Sequence, residues 1–429
     1  MEIYNVFDLI YSLEGMIIKM KRSVKILLIA FLFCIYVYIC KIDSIPTKTI
    51  IFEGEKLNIG DFLGISLNIE NNSKSSILAS TNLEDSMQPE FGNVIAKVKL
   101  FDVFTVKNVD VSVIKKSSVI PVGQIAGLKL YTHGVLVVGL GEITSKNNEK
   151  IKPYEGSGIE EGDTIVEIDN KEIIDTENLI DVINSSNGKN LNVKYLRNEQ
   201  EFNTNLTPVK TSKNGYKIGL WVRDSAAGIG TLTYYDPENQ TFAALGHGIT
   251  DVDTGNLIDI SNGDFLTTKV LSVVKGLKGN PGKIQGSIDN QKSIGKIYKN
   301  SNLGIYGKLQ NLDSLDLLNT EEMEVADRNE IELGKAKILC SLDGLEAKEY
   351  EIEIEKIFIN NNEDNKSMLI KITDESLLEK TGGIVQGMSG CPIIQNEKFI
   401  GAITNVLVND PTSGYAVFAD LMIKESMLN

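Results

Sequence analysis

Gly383-Ile384-Val385-Gln386-Gly387-Met388-Ser389-Gly390-Cys391-Pro392-Ile393-Ile394 sets one serine between two glycines, just before a proline and an apolar run. A serine in a surface turn needs one glycine at most. A Gly-x-Ser-Gly run suits a serine whose backbone is crowded and whose hydroxyl must stay open. A tight turn feeding a buried strand would carry the same letters, so the rest of the chain has to decide. The residues that follow, from Pro392 to Thr404, read as a strand, a turn at Asn396-Glu397 and a second strand.

A serine hydroxyl is a weak nucleophile until a base takes its proton, and histidine is the usual base near neutral pH. The chain has two histidines, His133 and His247. His133 reads as a surface loop residue. His247 lies in Ala244-Leu245-Gly246-His247-Gly248-Ile249-Thr250-Asp251, where a buried strand ends and the ring stands between two glycines. It shares a strand-rich region with Ser389, so it is the histidine that can serve that serine. Within this region Gly228–Tyr235 and Thr241–Leu245 read as a hairpin turning at Asp236–Asn239. Gly304–Gly307, Glu330–Leu333 and Tyr350–Ile354 read as further strands. Many short strands joined by turns indicate a barrel or sandwich.

Composition bounds the rest. The chain has 429 residues, enough for two or three domains, with 42 % hydrophobic and 24 % charged residues. Its net charge of −15 argues against a phosphate-backbone partner, which requires clustered Lys and Arg. Four cysteines without a Cys-x-x-Cys pattern, beside two histidines, make a zinc site improbable, and no cofactor is expected. Cys34 and Cys40 lie in an apolar run. Cys340 and Cys391 are a candidate pair in an exported domain.

That apolar run, Ile26 to Cys40, has no charge and follows Lys19, Lys21, Arg22 and Lys25. Basic residues before an apolar run are the export and membrane-orientation pattern. With no A-x-A site after it, an uncleaved anchor is expected, with the N-terminus in the cytoplasm and everything after Lys41 outside. Met20 opens a conventional signal start, so the first 19 residues read as an upstream extension. Residues 46–120 read as a small β region, with strands at Val94–Phe101 and Val109–Ile114 and a loop from Ile65 to Gln88.

Residues 121–209 carry a different pattern. Gly134–Val138 reads as a buried strand. Gly156 to Ile173 then gives a helical turn, a Gly-Asp turn, an alternating strand and an Asn-Lys hairpin. Thr176–Asn184 reads as an amphipathic helix with Leu179, Ile180 and Ile183 on one face. This order resembles a bacterial-type PDZ domain. The resemblance implies peptide binding by strand addition, with a groove along Val122–Leu130 in which Gly123, Gln124, Ile125, Gly127 and Leu128 hold a peptide carboxylate.

Gly387-Met388-Ser389-Gly390-Cys391-Pro392 also resembles the Gly-Asp-Ser-Gly-Gly-Pro run of chymotrypsin-like peptidases. That resemblance implies a double β-barrel, Ser389 as nucleophile, His247 as base, and an oxyanion hole from the N–H groups of Gly387 and Ser389. Met388 replaces the aspartate of that run, and Cys391 replaces a glycine. Taken with the anchor and the PDZ-like region, these motifs resemble the stage IV sporulation protein B peptidases of endospore formers. The family pattern points to Asp374, at the end of Ile370–Thr373, as the acid. Asp251, Asp253, Asp313 and Asp316 remain alternatives.

The expected fold is thus mostly β. An anchor covers 1–45, a β region or spacer 46–120, a PDZ-like domain 121–209 and a double-barrel peptidase 210–429. The resemblance implies a serine endopeptidase exported from the forespore into the space between forespore and mother cell, with self-cleavage as a route to a released form. There it cuts a membrane-bound regulator of an intramembrane protease, which leads to late mother-cell sigma factor activation. A general envelope protease and a non-catalytic PDZ scaffold are the alternatives. The expected PDZ ligand is a peptide, from a partner or from the chain itself, and neither metal nor nucleic acid is expected.

Overall fold

A computed structural model describes residues 22–55, 57, 65–70, 92–198, 200–212, 215–310, 315, 321–344, 346–360 and 364–427. The chain divides into two compact units, Met1–Lys115 and Lys116–Asn429. Asp313, Asp316 and the extension before residue 20 lie outside the described residues.

In the first unit, helix α1 (Arg22–Ser44) carries the apolar run. At ~1.5 Å per residue its length is about 34 Å, more than the ~30 Å hydrocarbon layer. Its apolar side chains are solvent-exposed in the isolated chain, and the helix is long and apolar enough to cross a membrane. Four strands follow: β1 (Lys48–Phe52), β2 (Ile65–Glu70), β3 (Gly92–Leu100) and β4 (Phe104–Ile114), paired in the order β1-β4-β3-β2. Residues 65–70, expected as loop, thus form a strand against β3. The rest of that expected loop lies outside the described residues.

In the second unit, strands of four residues or more take the next labels. β5 (Ser118–Leu140) is 23 residues long and bends at Gly134, whose φ is +94°. His133 is exposed at this bend, in a strand rather than the expected loop. Then come β6 (Thr164–Ile168), helix α2 (Thr176–Ser185), β7 (Leu191–Arg197) and β8 (Gln200–Leu206). Asp175 caps α2 by accepting from Asn178 N at 2.7 Å. Leu179 and Ile183 are buried, whereas Ile180, expected on the same face, is 51 % exposed. Val182 packs inward in its place, because residues one apart lie on different helix faces.

The remaining strands are β9 (Leu220–Asp236), β10 (Thr241–Ala244), β11 (Ile260–Val274), β12 (Lys283–Ser301), β13 (Gly304–Leu309), β14 (Gly334–Cys340), β15 (Lys348–Ile357), β16 (Met368–Ile372), β17 (Pro392–Gln395), β18 (Lys398–Leu407) and β19 (Asp410–Phe418). Helix α3 (Glu375–Thr381) precedes β17, and α4 (Ala419–Met427) follows β19. Glu330–Leu333 is not a strand. A 3-10 turn at Arg328–Glu330 occupies its start, held by a reciprocal cap between Asp327 and Glu330.

Pairings close these strands into two six-stranded rings. The first runs β5-β9-β10-β13-β12-β11 and returns to β5. The second is a closed barrel in the order β14-β15-β16-β19-β18-β17. Closure satisfies every edge strand. The expected double barrel is present, but its boundary is not at residue 210. Residues 118–132 of β5 are the first strand of the first ring, paired with β9 on one side and β11 on the other. The PDZ-like sheet, β8-β7-β6-β5, grows from the other half of β5. It is therefore inserted between the first and second strands of the barrel rather than placed before it.

Arg328 and Asp420 seal the second barrel as an ion pair of 2.6 Å, both about 4 % exposed, with the guanidinium over the Phe418 ring. Burial is the main influence on Asp420 and raises its pKa, against the pull of Arg328. Removing one member of such a pair typically costs about 3–5 kcal/mol, because the other charge is left buried alone.

Candidate active site

His247 and Ser389 come from opposite barrels. β10 ends at Ala244, and Leu245 and Gly246 follow at φ +70° and +67°, turning the chain so that His247 leaves the barrel wall. Ser389 lies between α3 and β17. Thr231 on β9 joins the two segments: its N–H donates to Ser389 O at 3.0 Å, and its carbonyl accepts from Leu245 N at 3.2 Å. Residues 403–404 join them again. Ser389 Oγ donates to Thr404 O at 2.6 Å, and a Cβ on Gly246 would stand 3.1 Å from Thr404 Cγ2.

The two glycines around the serine have separate reasons. Gly390 has φ +96°, and a Cβ there would lie 2.3 Å from Thr231 O and 2.6 Å from Leu245 N. Any side chain would push the serine loop off the histidine strand. Gly387 has φ +106°, a conformation closed to other residues.

The backbone between them is held plane by plane. Gln386 O accepts from Ile284 N at 2.8 Å, and Met388 O accepts from Cys391 N at 3.0 Å. A trans peptide points its N–H opposite its carbonyl. The N–H groups of Gly387 and Ser389 are thereby turned away from those partners, and neither donates to an acceptor among the described residues. Two free, oriented donors flanking a half-buried serine hydroxyl suit an oxyanion formed on a carbonyl that this hydroxyl attacks.

His247 Nδ1 lies 2.8 Å from Gly248 O. A proton on Nδ1 satisfies that carbonyl and leaves Nε2 as the basic nitrogen. Burial lowers the ring's pKa below its ordinary value, and the Gly248 bond only partly restores it. Neutral imidazole is the form a general base needs.

Among the described residues, Asp374, Asp251 and Asp253 do not reach His247. Asp374 caps α3 instead: its Oδ1 accepts from Leu377 N at 2.9 Å and from Ser376 Oγ at 2.6 Å. Burial opposes its charge, but these bonds outweigh that and hold its carboxyl below the usual range. Asp251 is buried and paired with Arg223, and it also accepts from Asp253 N and Thr254 N at 3.0 Å. Asp253 binds the other arm of Arg223 at 2.7 Å. Cys340 and Cys391 are free thiols, both fully buried, so Cys391 packs beside the serine.

The expected carboxylate groove of the PDZ region is corrected. Gly123, Gln124, Ile125, Gly127 and Leu128 sit within the first barrel, not on a free edge. Gln124 pairs with Leu232, and Gly127 pairs with Ile229 on one side and Leu266 on the other. A Cβ on Gly123 would meet Leu339 O at 2.7 Å, so this glycine permits contact between the barrels. The adjoining stretch of β5, Leu136–Leu140, is paired with Arg223–Leu220 of β9. Sequence reasoning took Gly-rich apolar residues before a PDZ-like strand as an open loop. Only the pairing shows that β9 takes one edge of this stretch and that β11 takes the other from Gly127 onward.

Two six-stranded rings, with Ser389 and His247 on segments joined through Thr231, are consistent with a protease domain. Comparison of the sequence with known families agrees: residues 214–423 match SpoIVB peptidase S55 and residues 128–207 match a PDZ domain. These two matches support a serine endopeptidase carrying a PDZ domain, a peptide-binding module. Among solved structures it is similar to the PDZ domain of an SdrC-like protein from Listeria monocytogenes. That match has 22% identity and a TM-score of 0.17, covering 21% of this chain and 87% of that one. It is also similar to the HtrA-type protease AlgW with a decapeptide, at 13% identity and a TM-score of 0.28, covering 48% of this chain and 53% of that one. No curated protein matches.

Proposed function

We propose that Ser389 is the nucleophile and His247 the general base of a membrane-anchored, exported endopeptidase. The observation that carries this is the pair of free N–H groups at Gly387 and Ser389, with both peptide planes held by their carbonyls. Ser389 Oγ leaves Thr404 O and turns to Nε2 of His247, which takes its proton as the hydroxyl attacks the scissile carbonyl. The resulting oxyanion lies between the two donors. Protonated His247 then gives its proton to the leaving amine, and water repeats the sequence on the acyl-enzyme. Losing one oxyanion donor costs such enzymes about 10²–10³ in kcat.

The family match supports a narrower reading: cleavage of a membrane-bound regulator that restrains an intramembrane protease, made in the forespore and acting between forespore and mother cell. Helix α1 supports the anchored, exported placement, and the PDZ domain supports recruitment of a peptide segment.

The test compares the full chain in detergent, wild type and Ser389→Ala, on itself and on denatured casein, by intact mass. Only the wild type should cut. In sporulating cells the same variant should leave the late mother-cell sigma factor unprocessed. Cleavage by the variant overturns the site, and normal processing in such cells overturns the pathway.

A further inference from the structure

We propose that Thr231 is a positioning residue of the oxyanion hole, acting on the reaction through the Gly387–Met388 peptide. Thr231 is fully buried on β9, in the barrel opposite the serine. Its Oγ1 donates to Gly387 O at 2.7 Å and lies 3.7 Å from Cys391 Sγ. Its own N–H holds Ser389 O, and its carbonyl holds Leu245 N, two residues before His247. One residue therefore touches the serine loop at two points and the histidine segment at a third.

The geometry gives the hydroxyl a specific task. The two oxyanion donors belong to the 386–387 and 388–389 peptides. Those planes are held by Ile284 N and Cys391 N. Between them stands the 387–388 peptide, whose rotation sets the angle between the two donors. Its N–H is held by Val385 O at 3.0 Å, and its carbonyl takes the Thr231 hydroxyl. Gly387 has no side chain to restrict that plane, and its φ of +106° is available to it because it is glycine. Without the hydroxyl, a buried carbonyl is left unpaired beside the freest residue of the loop. The plane can then turn to find another donor, and the relative orientation of the two N–H groups is no longer fixed. The Thr231 methyl and backbone still pack the seam, so the loss falls on alignment and leaves the barrel closed.

The inference rests on Ser389 being the nucleophile. Full-length wild type, Thr231→Val, Thr231→Ser and Ser389→Ala are labelled with a fluorophosphonate and assayed on fluorescent denatured casein across pH. Thr231→Val should lower kcat and the labelling rate together by at least about tenfold, with KM within twofold and the acid limb of the pH profile unmoved. Thr231→Ser, which restores the hydroxyl, should recover most of both rates. Wild-type rates in Thr231→Val overturn the proposal. So does a Val variant that Ser fails to rescue, or one whose KM rises as kcat falls. If wild type takes up no label, or Ser389→Ala labels equally, the nucleophile assignment fails and the proposal fails with it.

Discussion

The two barrels are built from the same number of strands by different means. The second barrel takes all six from one continuous stretch, Gly334 to Phe418. Its β17–β18 hairpin turns at Asn396 and Glu397, with φ +51° and +61°, and most neighbours in sequence are neighbours in the sheet. The first barrel takes one strand from before the PDZ insertion and five from after it, and closes only when β11 meets β5, from Ile260 against Thr132 to Leu266 against Gly127. Its long strands β5 and β9 also leave the barrel and enter the PDZ sheet. The serine comes from the locally closed barrel and the histidine from the one closed at long range. Each arm of the site thus has its own requirement for assembly.

The largest test removes the long-range strand. A chain starting at residue 211 retains His247, Ser389 and every residue of the second barrel, but leaves β9 and β11 with open edges facing the missing β5. It should be inactive and prone to association, whereas a chain starting at residue 116 should keep the wild-type cleavage rate. Activity in the shorter chain, measured as casein cleavage per folded molecule, would show that the first barrel closes without β5.

A test of middle size concerns the histidine arm. The folded ring's pKa lies below 6.5, because burial disfavours the charged form. The base is therefore neutral through pH 7, and the acid limb of kcat/KM should have its midpoint below 6.5, with about tenfold loss per pH unit beneath it. A midpoint above 7 would mean that a carboxylate reaches His247 in the free enzyme.

The smallest effect concerns the serine arm's approach. Asp374→Ala removes the α3 cap and should cost about 1 kcal/mol of stability, read by denaturant unfolding, while Asp374→Asn retains most of it. Activity in the two variants should follow stability. A stable Asn variant that has lost cleavage would return Asp374 to the catalytic group, in the place assigned to it by resemblance.

The local elements were largely legible in the sequence because their causes are local. Asn396-Glu397 between alternating runs writes a hairpin, and Leu179 with Ile183 writes one face of a short helix. Gly387 and Gly390 flag a serine under steric pressure. Residues 330–333 misled, because alternation over four residues does not distinguish a strand from an extended segment beside a 3-10 turn. Asp374 misled in a similar way: an aspartate ending a strand before a helix carries the same letters whether it caps that helix or orients a histidine. Thr231 and Thr404 were invisible. A buried threonine in a β-rich run has the pattern of any strand residue; the Thr231 hydroxyl finds its partner 156 residues away, and Thr404 meets the serine through its backbone carbonyl.

The sequence by itself determined a mostly β chain with an N-terminal apolar helix and a PDZ-like module, and it singled out Ser389 and His247 as candidates by the glycines beside each, since each of these rests on residue type, period and neighbours within about a dozen positions. Tertiary structure decided that Gly123–Leu128 are barrel wall rather than an open groove, that the PDZ module interrupts the first barrel, and that the peptide planes bearing the Gly387 and Ser389 N–H groups are held by Ile284 on β12 and by Cys391 within the serine loop. The physical reason is that a strand's edge is free or filled according to which distant segment pairs with it. That pairing depends on closure of the whole ring, not on the letters of the strand itself.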